Sequence, residues 1–251
     1  MIVAEGRIGR LLHVRGQYLQ DWLLDPEAPL TWRLQKDRAG SGALGDIGAH
    51  IVDLAQYVTG EQLLGVSGLT ETFVHQRPVA SPAANDLDGS RPTGEVTVDD
   101  AAVFVSRLTG GAIATFEATR FATGRKNSIR LELNGTHGSL AFDFEDMNVL
   151  HVYDATGSDR DAGFRRVLVT EADHPFVGGW WPPGHVLGYE HAFTHQAVDL
   201  LTAIAEGSTP RPTFSDGLQV QRILSAVEES AGHHGEWTSV TDGSSTTTSS
   251  H

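Results

Sequence analysis

The residues best placed to do chemistry lie in GSGALGDIGAHIVDLAQYVTG, positions 40–60. On a helix, Asp46, His50, Asp53 and Tyr57 recur at i, i+4, i+7 and i+11 and form one polar stripe. Ile47, Ile51, Leu54 and Val58 repeat the same spacing one residue later, as an apolar stripe that faces a core. Asp46 and His50 are one turn apart, so their side chains can meet. A carboxylate beside an imidazole orients the ring and raises its basicity, which suits a general acid–base. A solvated helix face with a chance His–Asp pair presents the same two residues.

Two further clusters stand out. QYLQDW and TWR bring Tyr18, Gln20, Asp21, Trp22, Trp32 and Arg33 into one loop-rich region. Indole faces beside amide and guanidinium donors can grip ligands that are polar at the edge and apolar on the face, such as sugars. The same tryptophans could simply seal the edge of the core. GGWWPPGHVLGYEHAFTHQAVDLL, positions 178–201, places His191 and His195 at i, i+4 on a helix. Two such histidines can bind zinc, but the glutamate, Glu190, precedes both, so HExxH is absent. A structural or substrate-facing role suits His191 better, and no metal site is expected.

Positioning these groups requires elements. Leu12 and Val14 alternate with His13 and Arg15 as in a strand, and 21–43 read as loop. A helix from Asp46 to Val58 stops at Gly60. Period-two runs follow at Leu63–Phe73, Ala101–Leu108, Ala112–Phe121, Ser128–Leu133, Ser139–Phe144, Val149–Tyr153 and Arg166–Thr170. Gly110-Gly111 reads as a tight hairpin, and 76–98 as an exposed loop. Helices Gly188–Glu206 and from an N-cap at Ser215 to about Ala231 precede a polar tail, 241–251. The fold class is α+β: an open, mostly antiparallel sheet of about six or seven strands with helices on one face. Residues 1–240 read as a single domain. Ile113 and Phe121 are expected on a sheet face that few helices can cover, an apolar patch that asks for a second subunit.

Composition narrows the classes. The 251 residues hold 18 Lys plus Arg against 32 Asp plus Glu, a formal net charge of −14. Such a surface repels nucleic acid and anionic membrane. The absence of cysteine excludes disulfides, thiol nucleophiles and Cys-ligated metals. No run of about 18 apolar residues is present, and the N-terminus lacks a signal-peptide pattern, so a cytoplasmic location is expected. Gly6-Arg7-Ile8-Gly9 is only GxxG, too short for a dinucleotide fingerprint.

GRIGRLLHVRGQYLQDW, WRLQKDRAGSGALGDIGAHIVDLAQYVTGE and WWPPGHVLGYEHAFTHQAVDLL, in that order, resemble the C-terminal domain of the Gfo/Idh/MocA sugar oxidoreductases, nearest to levoglucosan- or inositol-dehydrogenase-like members. The resemblance implies a substrate-binding and oligomerisation domain acting on a sugar or polyol, with NAD or NADP held by an N-terminal Rossmann domain. It implies that Asp46 and His50 meet the substrate hydroxyls, and that His50 moves a proton. It also implies that Gln20, Trp32 and Arg33 line the sugar site, with His191 as a further substrate contact. The glycine-rich loop and the family's catalytic lysine motif have no counterpart here, since Lys36 and Lys126 are the only lysines. The chain is therefore expected to be a substrate domain without its Rossmann domain, inactive as a dehydrogenase alone and homo-oligomeric, with a separate Rossmann-domain subunit as one partner it could take. Two alternatives stay open: a stand-alone epimerase, lyase or hydrolase on a sugar or keto-sugar that needs no nicotinamide, and a non-catalytic sugar-binding module.

Overall fold

The structure is a computed structural model that describes residues 1–79, 92–158, 160 and 162–240. The polar tail 241–251 and the centre of the expected 76–98 loop lie outside the described residues. The strands are β1 (Leu11–Leu19), β2 (Leu63–Glu71), β3 (Gln76–Pro78), β4 (Thr93–Glu95), β5 (Ala101–Leu108), β6 (Ile113–Thr119), β7 (Ser128–Gly135), β8 (Gly138–Asp143), β9 (Val149–Asp154), β10 (Arg165–Leu168) and β11 (Thr238–Ser239). Nine of them form one sheet in the order β10-β9-β8-β7-β1-β6-β5-β2-β11, and β3 pairs with β4 separately. The sheet thus has nine strands rather than six or seven. Only β1 and β6 run parallel; every other neighbour pair is antiparallel.

Alternation explains which face is covered. In β5, Ala102, Phe104, Ser106 and Leu108 are buried, while Val103 and Val105 point the other way and are exposed. The covered face carries helices α2 (Ala49–Thr59) and α4 (Phe214–Gly232), after a short α1 (Lys36–Ala39) in the first loop. Ile47, Ile51, Val52 and Ala55 meet Ile223, Leu224 and Val227 over Val14, Val66, Phe104 and Phe116 in one core. Each fully buried Ile, Val or Phe contributes about 1.5–3 kcal/mol. Close approach of α2 to β1 needs Gly16: a Cβ there would lie 2.8 Å from both Ile51 and Phe116. The opposite face of the sheet is open and exposes Leu69, Val103, Val105 and Ile113.

Three expectations change. Residues 76–98 are not simply an exposed loop: Arg77, Pro78, Val96 and Val98 are buried. Arg77 donates from Nη1 to Asp25 O and from Nη2 to Leu23 O, so it ties the first loop to β3. Phe121 is not on the open face with Ile113. It packs edge-on against Phe73, 5.3 Å between centroids, beside a second small core of Leu23, Leu34, Val96 and Val98. The C-terminal helix starts after Thr213, not Ser215, because Thr213 and Asp216 form a reciprocal capping box.

The third long helix, α3 (Tyr189–Glu206), differs from the others. One of its 18 residues, Ala203, is buried, while Phe193, Val198, Leu200, Leu201 and Ile204 are exposed. Among the described residues no helix is long and apolar enough to cross a membrane.

Candidate functional site

The end of β1, the turn at 31–33 and the start of α2 enclose a cavity of about 490 Å³ lined by Tyr18, Gln20, Trp22, Thr31, Arg33, Asp46, Ile47 and His50. Each segment has its own reason to be there. β1 is a central strand, so its C-terminal residues are fixed by β6 and β7 on either side. The turn at 32–34 is anchored by Leu34, which is fully buried. Asp46 lies in a π-helical turn, Leu44–Gly48, that runs directly into α2. Such turns widen the spacing of an α-helix.

The start of this helical segment is held from outside. Asp99 accepts from Gly42 N at 2.6 Å and Leu44 N at 2.7 Å, which satisfies two helix-start donors. Burial pushes the Asp99 carboxyl up, against the opposing pull of those two bonds. Gly42 must be glycine, because a Cβ would collide with the Asp99 carbonyl oxygen.

Inside the cavity, hydrogen bonds fix the β1 residues. Asn127 Oδ1 accepts from Tyr18 Oη at 2.7 Å and from Gln20 Nε2 at 2.8 Å. Trp22 Nε1 donates to Gln20 Oε1 at 2.9 Å. The Gln20 amide is thereby locked, with one N–H and one lone pair to spare. Burial first, then Tyr189 and Asp46, push the Tyr18 hydroxyl up, so it stays a donor at neutral pH. Asn127 is held by Glu145, which accepts from Asn127 N at 3.4 Å and Lys126 N at 3.1 Å. Lys126 itself donates to Asp21 at 2.7 Å, and that bond holds the Asp21 carboxyl below its usual range.

Gln20, Arg33, Asp46 and His50 thus converge as the spacing and the resemblance suggest. Three features differ. Asp46 does not pair with His50: its Oδ2 is 3.7 Å from Arg120 Nη1, while the His50 ring lies 6.1 Å from the Tyr18 ring and makes no hydrogen bond or ion pair among the described residues. Trp32 does not line the cavity. Its ring is 45% exposed and Arg33 stacks over it at 4.5 Å, so its contact with the site runs through Arg33. Trp22 is the lining indole. His191 is outside the cavity: Gly188 N donates to its Nδ1 at 2.9 Å, and Trp180 packs edge-on at 4.3 Å. Asn127, Arg120 and Asp99 were not singled out by spacing, since each reaches the site only through the tertiary fold.

The residues present do not fit a nicotinamide dinucleotide. Such a group needs a glycine turn between a strand and a helix N-terminus to cradle its pyrophosphate. Here β1 leads into a loop anchored by Leu23 and Leu34, and the described helices follow loops rather than glycine-rich strand turns. Among the described residues no group of three or more His, Asp or Glu could hold a metal ion. The His191–His195 pair is already engaged, because Trp180 Nε1 donates to His195 Nε2 at 2.6 Å.

Comparison with known proteins gives this geometry its context. Residues 1–141 match the family described as GFO/IDH/MocA C-terminal domain. Levoglucosan dehydrogenase of Pseudarthrobacter phenanthrenivorans is 44% identical over 234 residues, 91% of this chain and 60% of that protein. The crystal structure of an oxidoreductase domain protein from Kribbella flavida superposes with a TM-score of 0.90 at 62% identity, over 96% of this chain and 62% of that one. A levoglucosan dehydrogenase complex with NADH and L-sorbose gives a TM-score of 0.88 at 42% identity, over 96% of this chain and 61% of that one. The chain therefore spans about 60% of the length of the relatives it matches. On both sequence and architecture the chain belongs to the Gfo/Idh/MocA family, whose C-terminal domain its residues 1–141 match.

Proposed function

We propose that this chain is the substrate-binding part of a nicotinamide-dependent oxidoreductase acting on a sugar or polyol. One observation carries the reading: Tyr18, Gln20, Trp22, Arg33, Asp46 and His50 meet in one open cavity within a fold shared with levoglucosan dehydrogenase. In this role Trp22 offers an apolar face, and Gln20 and Arg33 offer donors to ring hydroxyls. The Asp46 carboxylate accepts from hydroxyls, and His50 takes or returns the proton of the reacting hydroxyl. His50 is suited to that work because it lines the cavity and, among the described residues, no hydrogen bond or ion pair occupies its ring nitrogens.

The dinucleotide is held by a segment or subunit with Rossmann topology, outside the described residues. The exposed apolar stripe of α3 supports such a partner. A second copy of the chain covers the open sheet face at Val103, Val105 and Ile113, and the protein works in the cytoplasm. His191 supports the α3 loop and does not touch substrate.

Calorimetry on the chain with levoglucosan, L-sorbose, NADH and NADPH tests this. We expect sugar binding in the millimolar range, about −4 kcal/mol, because one wall of the cavity is open. We expect no measurable binding of either nucleotide. Micromolar nucleotide binding refutes the reading. Turnover of a keto-sugar without nucleotide replaces it with a stand-alone enzyme.

A further inference from the structure

Arg120, one residue beyond β6, lies against the candidate cavity with its side chain only 1% exposed. Its guanidinium has three neighbours from three segments. Nη1 faces Asp46 Oδ2 at 3.7 Å, Nη2 donates to Asp99 O at 3.0 Å, and Cζ lies 5.7 Å from the centre of the Trp22 ring. Its Nε has no hydrogen-bond partner among the described residues. Its backbone is fixed as well, by Arg120 N to Asp100 O at 3.2 Å and Leu23 N to Arg120 O at 3.4 Å.

A buried guanidinium is an expensive way to fill space. Burial pulls its pKa below the ordinary value, and Asp46 is the first charge that opposes this. An apolar side chain of similar volume could plug the same space at lower cost. The cation is nevertheless placed where it touches two cavity-lining side chains, Asp46 and Trp22, together with the carbonyl of Asp99, whose side chain anchors the helix start.

We propose that Arg120 is a positioning residue of this site: it holds the Asp46 carboxylate directed by one oxygen, and it supports the Trp22 indole from behind. The proposal rests on the sugar-site reading above for what Asp46 and Trp22 do. Asp46 Oδ2 is turned to Arg120, whereas Oδ1 has no hydrogen-bond partner among the described residues and is left for ligand hydroxyls. An ionised carboxylate only accepts, so a polyol donates to it without a competing proton. The other titratable groups lining the cavity with Asp46 are His50 from α2, Tyr18 from β1 and Arg33 from the 31–33 turn. Arg120 itself is sealed from ligand.

The test is the ¹³C-carboxyl NMR resonance of Asp46 in the full chain at neutral pH, assigned with Asp46→Asn, alongside levoglucosan binding. Arg120→Met is expected to move the Asp46 carboxyl resonance, and Arg120→Lys to keep it near the wild-type position. Levoglucosan affinity should fall about tenfold in Arg120→Met and recover to within about threefold of wild type in Arg120→Lys. A structural plug predicts an unmoved Asp46 resonance and no recovery in Arg120→Lys. The losses of Asp46→Asn and Arg120→Met should combine to less than their product, because part of the Arg120 effect runs through Asp46. An unmoved resonance, or losses that multiply in full, overturns the proposal. Should Arg120→Met not fold, the reciprocal measurement decides. Asp46→Asn lies on the cavity wall, and it should shift the Arg120 Nη1 resonance and free the Cζ–Nε rotation. Unchanged Arg120 signals overturn the pairing. A wild-type chain that binds no levoglucosan at any accessible concentration ends the sugar-site reading by itself, and the Asp46 carboxyl resonance still decides for or against Arg120.

Discussion

Helices α2 and α3 carry the same sequence device and put it to different ends. Asp46 and His50 lie one turn apart where the π turn enters α2, and His191 and His195 lie one turn apart on α3 beside Glu190, each on an amphipathic pattern. On α2, the apolar stripe is buried between the sheet and α4, so the adjacent polar stripe is held at a cavity wall. Among the described residues no hydrogen bond or ion pair engages the His50 ring nitrogens there. On α3, the apolar stripe is exposed, and the histidines are absorbed by neighbours: His195 by Trp180 and the stacked Phe176 ring at 4.3 Å, His191 by Gly188 and Trp180. Spacing decides which side chains share a face. Packing of the opposite face decides whether that face becomes a site.

The largest effect that could break this contrast is in stability. Ile51 is fully buried beneath α2, whereas Leu200 on α3 is 47% exposed. Ile51→Asp places an unpaired charge in the core and should cost more than about 4 kcal/mol, enough to unfold much of the chain. Leu200→Asp should change stability by less than about 0.5 kcal/mol. Chemical denaturation of both variants checks this. Equal losses would mean that α3 is packed in solution, by a second copy or by the rest of the fold.

Next in size is ligand affinity. His50→Ala should weaken levoglucosan binding about tenfold, or about 1.4 kcal/mol, through loss of one polar contact in a wet site. His191→Ala should leave it within about twofold, because His191 is outside the cavity. Titration of the two variants under one condition suffices. A larger loss from His191→Ala would return that residue to the substrate site.

The α2 region was readable because its local signals agree with its tertiary role. Period-two alternation located β5 to the residue, and Gly110-Gly111 marked the β5–β6 turn, closed by Leu108 N to Ala112 O at 2.9 Å. Gly60 in the left-handed region ends α2 as its position suggested. Agreement stops where a residue acts through distant partners. Pro78 and Gly94 made 76–98 look like plain loop, yet buried Arg77 staples that segment to backbone carbonyls near Asp25. Asp46 and His50 were paired on ideal α spacing, but the π turn and buried Arg120 direct the carboxylate elsewhere. Trp22 and Trp32 were equivalent as indoles in a loop, and only the buried Leu34 turn decides which one faces the cavity.

The smallest effect sharpens the contrast at the α3 end, and it is read by pH. Burial first, and then the neighbouring His191, hold the His195 ring below its usual pKa of 6.5, with Asp199 opposing. The neutral ring accepts the Trp180 indole proton at Nε2, and a protonated ring has no lone pair to accept it. Because the folded-state pKa is lowered, the unfolded chain binds more protons in the window just below pH 6.5. The contribution of this contact is therefore complete above that window and is lost as pH falls through it. One neutral hydrogen bond contributes about 0.5–1.5 kcal/mol, and it closes a surface loop rather than the core. The melting temperature should hardly move. The Trp180 indole N–H resonance, assigned with Trp180→Phe, should instead shift and broaden between about pH 7.5 and pH 5. Amide signals of β5 should stay in place, since that strand carries no histidine and pairs only with β2 and β6. A Trp180 signal that ignores this titration would show that His195 does not anchor the loop, and the two histidine helices would then differ less than their packing implies.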